Sequence, residues 1–100
     1  MRFTDAEYVS VFKSLSDETR IRIVRCLCKE EMCAGSLLKH FNITQPTLSY
    51  HIRILTDCGL VNARREGTWM FYSINPERGA MVKCFLDDVA ADEAQAGENS

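Results

Sequence analysis

Apolar residues recur every three or four positions along the first part of the chain, which predicts amphipathic helices. The first helix is predicted to begin at an Asp5 N-cap and to end at about Leu15, and a second helix follows the capping segment Ser16-Asp17-Glu18-Thr19. The predicted buried stripes are Tyr8, Val11, Phe12 and Leu15 in the first helix, and Ile21, Val24, Leu27 and Cys28 in the second. Each helix therefore buries one face and exposes the other.

Two further helices follow the second one. A third is predicted from Met32 to Phe41, and Asn42-Ile43 is a short connector. Thr44 is the predicted N-cap of a fourth helix with Pro46 in its first turn, where the missing backbone N–H costs little. Gly59 is the predicted residue after the C-cap. The predicted buried face of the fourth helix is Leu48, Ile52 and Leu55.

The spacing of apolar residues changes after Gly59. Two strand-like segments, Leu60–Arg65 and Thr68–Ile74, flank Glu66-Gly67, which predicts a tight hairpin turn. A last helix is predicted from Glu77 to Ala91. The predicted order of elements is ααααββα, a mostly α fold in which the hairpin must pack on the helices to be stable.

The size and composition of the chain predict one domain. One hundred residues, of which 46% are hydrophobic, can bury a modest core without disulfide bonds. We assign residues 1–91 to this domain and expect the acidic segment 92–100 to be disordered. No apolar run reaches the roughly 18 residues of a membrane span, and the N-terminus lacks an apolar signal segment, so the expectation is a cytoplasmic protein without membrane contact.

Basic residues are concentrated in the middle of the sequence although the whole chain is slightly acidic. The formal net charge is −2, from 12 Lys and Arg against 14 Asp and Glu. Between positions 20 and 65, eight basic residues face three acidic ones, a local charge of +5. Because phosphate binding depends on local charge, this distribution is compatible with a DNA partner.

The third and fourth helices, followed by a basic hairpin, have the order of a winged helix-turn-helix. In that motif the second helix of the pair enters the major groove of double-stranded DNA. Base contacts are predicted from Gln45, Thr47, Ser49, Tyr50 and His51. Gln can bond adenine, Thr47 or Ser49 can bond a base or a phosphate, and positions 47, 50 and 51 are expected opposite the buried face. Phosphate contacts are predicted from Thr44, Ser49, Arg53, Arg64 and Arg65. The alternative is that the hydroxyl and amide groups only cap the helix and that the two hairpin arginines form an ordinary solvated turn.

Four segments together resemble the ArsR/SmtB family of metal- and metalloid-responsive repressors. They are Ser16-Asp17-Glu18-Thr19-Arg20, Cys33-Ala34-Gly35-Ser36-Leu37-Leu38, Thr44-Gln45-Pro46-Thr47-Leu48-Ser49-Tyr50-His51, and Gly59-Leu60-Val61 with Arg65-Glu66-Gly67-Thr68-Trp69-Met70-Phe71-Tyr72. The resemblance covers about residues 5–90 in the family's order. It implies a homodimer through the first and last helices that binds palindromic operator DNA and leaves it when an inducer binds. Apolar stripes on both terminal helices, more than one small core can bury, favour the same dimer.

Five cysteines supply candidate ligands for the inducer. Arsenite prefers three thiolates, and soft metals in general select thiolates. The resemblance implies a Cys-x-Cys pair at the start of the third helix, but this chain has Cys33 followed by Gly35. Cys28 precedes Cys33 by one short turn, so we name Cys28 and Cys33 as candidate ligands for arsenite, antimonite or a soft divalent metal. A third thiolate would come from Cys58, Cys84 or the partner subunit, and the alternative is that the cysteines only fill the core.

Other functions remain open at this point. The family's second site uses an Asp-x-His pair and a His-x-x-Glu pair on the last helix, and the corresponding positions here are Pro76, Arg78, Val89 and Asp92, of which three cannot bind zinc. A thiol sensor of oxidants or persulfides, a repressor switched by a partner protein and a protein-interaction module without DNA are the alternatives. No catalytic constellation, phosphate-binding loop or HExxH motif is present, which argues against an enzyme.

Overall fold

The computed structural model describes the backbone of residues 3–99 and the side chains of residues 3–91. The elements are α1 (Asp5–Leu15), α2 (Glu18–Lys29), β1 (Met32–Cys33), α3 (Ala34–Leu38), α4 (Gln45–Asp57), β2 (Val61–Glu66), β3 (Trp69–Ile74) and α5 (Pro76–Asn99). The mostly helical class and the single hairpin are as predicted. The order is ααβααββα, because one additional short strand precedes the third helix.

The N-terminal caps set where the first two helices begin. Thr4, one residue before the predicted Asp5, caps α1 in a capping box. Its hydroxyl accepts the Glu7 N–H at 3.1 Å, while Glu7 accepts the Thr4 N–H at 2.9 Å. Asp17 caps α2 by accepting the Arg20 N–H at 3.1 Å, within the predicted segment. This hydrogen bond is the main reason why the pKa of Asp17 lies below its ordinary value.

The third helix is much shorter than predicted, because its first residues belong to the sheet. Met32 pairs with Tyr72 and Cys33 with Phe71, both antiparallel, which makes β1 an edge strand on β3. The sheet order is β1-β3-β2. Met32 is buried by this pairing. A two-residue strand has no detectable period of its own, so the predicted helix from Met32 to Phe41 is wrong at both ends, and α3 keeps only residues 34–38.

The core lies where α4 packs against α1, α2 and α3, as the sequence predicted for its apolar face. Leu48, Ile52 and Leu55 are 1%, 5% and 0% exposed. The helix ends at Asp57 with Cys58 as its C-cap, and Gly59 follows with a positive φ of 83°. Because only glycine adopts this conformation without strain, the predicted helix end is confirmed.

The hairpin and the last helix begin close to their predicted positions. Glu66 pairs with Trp69, so the turn consists of Gly67 and Thr68, one residue later than predicted, with Gly67 at a φ of 63°. The last helix continues to Asn99, so its predicted end at Ala91 is wrong. The disorder predicted for residues 92–100 stays a prediction, because the side chains of this segment lie outside the described part of the chain. Among the described residues, no helix is both long and apolar enough to cross a bilayer.

Candidate nucleic-acid interface

The N-terminus of α4 combines capping with exposure. The Thr44 hydroxyl accepts the Thr47 N–H at 3.4 Å and donates to the Thr47 hydroxyl at 3.0 Å. The Thr44 side chain therefore caps the helix, whereas the Thr47 side chain does not. Both side chains nevertheless remain exposed, as do Gln45 and Ser49. This turn presents four hydrogen-bonding side chains to solvent at the end of a helix, where the helix dipole also favours a phosphate.

The rest of the exposed face of α4 carries one aromatic and one basic residue. Tyr50 is 62% exposed, and the Arg53 side chain is 83% exposed. Arg53 lies 4.0 Å from Asp57 one turn later, a solvated pair that leaves its charge available. These side chains point away from Leu48, Ile52 and Leu55, so one helix face anchors the core and the other is open to a ligand.

His51 is the predicted base contact that does not lie on the open face. Its side chain is 12% exposed, and Nδ1 lies 3.0 Å from Nη1 of Arg20. Arginine only donates, so Nδ1 accepts this hydrogen bond. The Asp17 carboxylate lies 3.8 Å from Nδ1, too far for a hydrogen bond. The groove-facing orientation predicted for His51 is therefore wrong.

Arg20 makes His51 part of a junction between three helices. Its Nε donates to the Ser14 carbonyl at the end of α1 at 2.6 Å, while its backbone N–H is held by the Asp17 cap of α2. The side chain thus links α1, α2 and the His51 ring on α4. The spacing on α4 carried this signal, because position 51 lies three residues after the buried Leu48 and four residues before the buried Leu55, next to their face of the helix.

The two hairpin arginines have different surroundings. Arg65 is exposed, and no ion pair is found for it among the described residues. Arg64 is paired with Glu31 and with Glu66, so its guanidinium is already neutralised. Arg64 therefore does not present the free charge that the predicted phosphate contact requires, whereas Arg65 does. Trp69, which sequence reasoning did not single out, is 60% exposed beside the hairpin turn.

Cys33 begins the short helix α3 and has the environment of a reactive thiol. Its sulfur lies 3.4 Å from the Ser36 hydroxyl oxygen. The Ser36 hydroxyl, followed by the backbone N–H groups at the start of α3, lowers the pKa of Cys33 below its ordinary value. Cys28 is exposed, and Cys33 is partly buried. Among the described residues, no three His, Cys, Asp or Glu side chains come together as a metal site.

Comparison with known proteins identifies the family. Residues 17–63 match the family model that is described as "Bacterial regulatory protein, arsR family". The arsenical resistance operon repressor of Staphylococcus aureus is 42% identical over 83 residues, which cover 83% of this chain and 73% of that protein. The probable mercury resistance operon repressor of Streptomyces lividans is 35% identical over 85% of this chain and 68% of its own length. This chain belongs to the arsR family.

The fold of this chain is similar to that of solved structures of the family. A homodimeric winged helix-turn-helix DNA-binding domain from Mycobacterium bovis superposes with a TM-score of 0.71 at 28% identity, covering 90% of this chain and 83% of that one. The protein is therefore an arsR-family transcriptional repressor with a winged helix-turn-helix fold, as the sequence predicted, and not an enzyme. Here α3 and α4 form the helix-turn-helix, and the β2–β3 hairpin is the wing.

Proposed function

We propose that a homodimer of this chain represses transcription by binding palindromic operator DNA, and that an inducer with affinity for thiols releases it. The open face of α4 carries the proposal. Gln45, Ser49 and Tyr50 are exposed on a helix whose opposite face is locked into the core. A helix held in this way can enter a major groove as a rigid body, with the wing beside it on the phosphate backbone.

The contacts divide into base readers and phosphate contacts. We assign base readout to Gln45, Thr47 and Tyr50, and backbone contact to Arg65 and Arg53. Thr44 and Ser49, at the helix start, complete the phosphate contacts. His51 and Arg64 are left out, because both are engaged within the protein.

Gln45→Ala is expected to separate base readout from general affinity. A bidentate base contact discriminates by about 1–3 kcal/mol, so we expect a loss of about 5- to 150-fold on cognate operator and little change on random DNA.

Arg65→Ala should weaken binding to both DNAs and reduce the slope of log K against log salt by about 1. Fluorescence anisotropy across a salt series measures both effects.

Lys13→Ala is the matched control for the lost charge, since Lys13 is exposed on α1 and lines a pocket with Asp57 and Cys58 at the C-terminal end of α4. It should leave the salt slope unchanged. Equal losses on cognate and random DNA for Gln45→Ala would remove Gln45 from base readout. Binding of the wild-type protein that does not weaken with salt would favour a protein-interaction module instead.

We further propose that the inducer is arsenite, antimonite or another soft metal ion, held by Cys33. The support is the lowered pKa and partial exposure of Cys33, together with the arsenical and mercury resistance repressors among its relatives. One chain does not present three ligands in the described residues, so the donor set is incomplete for arsenite. Cys28 and a thiolate of the partner subunit are the proposed completion.

Cys33→Ser is expected to raise the arsenite concentration for half-release of operator DNA by more than tenfold while leaving DNA affinity unchanged. Gly35→Cys should lower that concentration, because a Cβ at Gly35 meets no atom within 4 Å and restores a Cys-x-Cys pair. Titration of arsenite, antimonite, zinc and cadmium into the reduced protein on labelled operator measures both effects. Cys26→Ser is the control, since Cys26 packs against the core. A wild-type response in Cys33→Ser would exclude Cys33 as ligand.

The same thiol supports the redox alternative. Oxidants and persulfides react with thiolates, and the lowered pKa of Cys33 increases the thiolate fraction. In the operator assay, release by a persulfide donor that is reversed by a thiol reductant, without release by arsenite, would favour the redox sensor. Release by arsenite in the presence of reductant favours the metalloid repressor.

A further inference from the structure

The Arg64 side chain is held by two carboxylates on the surface of the wing. Arg64 donates from Nη2 to Oε1 of Glu31 at 2.7 Å and from Nε to Oε2 of Glu31 at 3.4 Å. It also donates to the Glu66 carboxylate. Hydrogen bonds to Glu31, and then to Glu66, raise the pKa of Arg64 above its ordinary value. We refer to Glu31, Arg64 and Glu66 as the wing ion-pair cluster.

The cluster joins the wing to a segment outside it. Glu31 directly precedes β1, and in the sheet register Cys33 of β1 lies opposite Phe71 of β3, which lies opposite Arg64 of β2. Residues directly opposite one another across antiparallel strands point to the same face of the sheet. The Arg64 guanidinium carbon is accordingly 5.0 Å from the centroid of the Phe71 ring. The wing is therefore tied to β1 twice, by backbone pairing and by the ion pair.

The charge of the cluster opposes DNA binding. Two carboxylates and one guanidinium sum to −1, next to the exposed Arg65 that we assign to the phosphate backbone. On electrostatic grounds alone, removal of the Glu31 charge would raise the affinity for DNA. A contribution of Glu31 to DNA binding must therefore come from geometry.

The hairpin geometry makes such a contribution large. The residues paired with β1 are Phe71 and Tyr72, while the turn lies at Gly67 and Thr68. At about 3.3 Å per residue, the tip extends on the order of 10 Å beyond the last β1 pairing. A small change in the angle of the wing on β1 therefore moves the tip far enough to make or break a hydrogen bond.

We propose that Glu31 and Arg64 are positioning residues that fix the angle of the wing on β1, so that Arg65 reaches the DNA backbone. The proposal rests on the proposed function in that it requires wing contact with operator DNA. It replaces the phosphate contact predicted for Arg64 from the sequence by a role within the protein. Glu31, which sequence reasoning did not single out, becomes a determinant of affinity.

Glu31→Gln tests the proposal, because geometry and electrostatics predict opposite signs. We expect the variant to bind operator three- to tenfold more weakly than wild type in fluorescence anisotropy. Glu30→Gln removes the same charge one residue earlier and is expected to bind as tightly as wild type or slightly more tightly. Glu31→Gln that binds as tightly as wild type, or more tightly, overturns the proposal. Failure of the wild-type protein to bind duplex DNA at all would instead overturn the proposed function.

Two further measurements separate positioning from phosphate contact and from unfolding. Arg64→Ala should weaken binding while keeping the wild-type salt slope, whereas Arg65→Ala lowers that slope by about 1. The double variant Glu31→Arg with Arg64→Glu should bind operator DNA more tightly than either single variant, since it restores an ion pair of opposite polarity. A lowered slope in Arg64→Ala, or no recovery in the double variant, contradicts the proposal. Each variant should unfold at a temperature within a few degrees of wild type. This result would show that the loss of DNA affinity comes from the wing and not from unfolding.

Discussion

Leu86→Glu in α5 is expected to convert the protein to a monomer and to lower operator affinity by at least about 100-fold, because two linked half-site contacts become one. Leu86, Val89 and Phe85 form an apolar stripe on α5 and are 56%, 48% and 37% exposed in one chain, within the described residues. Val9 on α1 is also 50% exposed, and Phe85 packs against the Tyr8 and Phe12 rings of the same helix. A two-fold interface uses each substitution twice, and a buried leucine contributes about 1.5–3 kcal/mol. Sedimentation equilibrium measures the dimer, and anisotropy measures the affinity.

Ala80→Glu is the matched control on the same helix. Ala80 is exposed and lies six residues before Leu86, about 120° around the helix, on the side away from Val89. This variant adds the same charge and should remain a dimer with wild-type affinity. Leu86→Glu that stays dimeric at micromolar concentration would exclude the α5 stripe as the dimer interface. A monomer that still binds the palindrome with wild-type affinity would contradict dimeric operator binding.

His51→Leu is expected to lower the free energy of unfolding by about 1.5–3 kcal/mol, the usual contribution of a hydrogen bond to a charged group. The substitution removes the acceptor that Arg20 reaches at 3.0 Å, in a site where the histidine is 12% exposed. It also frees α4 from the junction with α1 and α2, so operator affinity should fall although no exposed residue of the α4 face has changed. Urea denaturation and anisotropy at pH 7.5 measure the two effects.

His51→Asn distinguishes the hydrogen bond from simple packing. The Asn Oδ1 atom can take the place of the histidine Nδ1 and accept from Arg20, so this variant should recover most of the stability and affinity that the leucine variant loses. Tyr50→Leu, on the neighbouring exposed position, should change stability by less than about 0.5 kcal/mol. An asparagine variant no better than the leucine variant would show that the bond to Arg20 does not position α4.

Local patterns in the sequence identified most of the helix-turn-helix. The Thr44 cap, Pro46 in the first turn, the buried Leu48, Ile52 and Leu55 face and the Gly59 terminus all depend on interactions within a few residues. Such short-range rules act the same way in any fold, so they are visible before the fold is known. The hairpin followed from the same kind of signal, with an error of one residue at its turn.

Errors arose where the partner of a residue is distant in sequence. Met32 and Cys33 pair with residues about 40 positions later, and Glu31 reaches Arg64 across 33 positions. Arg20 and Arg22, counted among the basic residues of the middle segment, hold the His51 ring and the His40 carbonyl. A formal charge count cannot tell such arginines from those that are free to bind phosphate.

The sequence by itself determined the family, the order of most elements, and helix α4 with its exposed hydrogen-bonding residues, because each is encoded by local spacing and capping. Only the tertiary structure decided that His51 is bonded to Arg20, that Arg64 is paired with two carboxylates while Arg65 is exposed, and that β1 ties Cys33 to the wing. The physical reason is that burial and ion pairing depend on which surfaces the fold brings together, and a carboxylate distant in the chain changes what a basic side chain can bind.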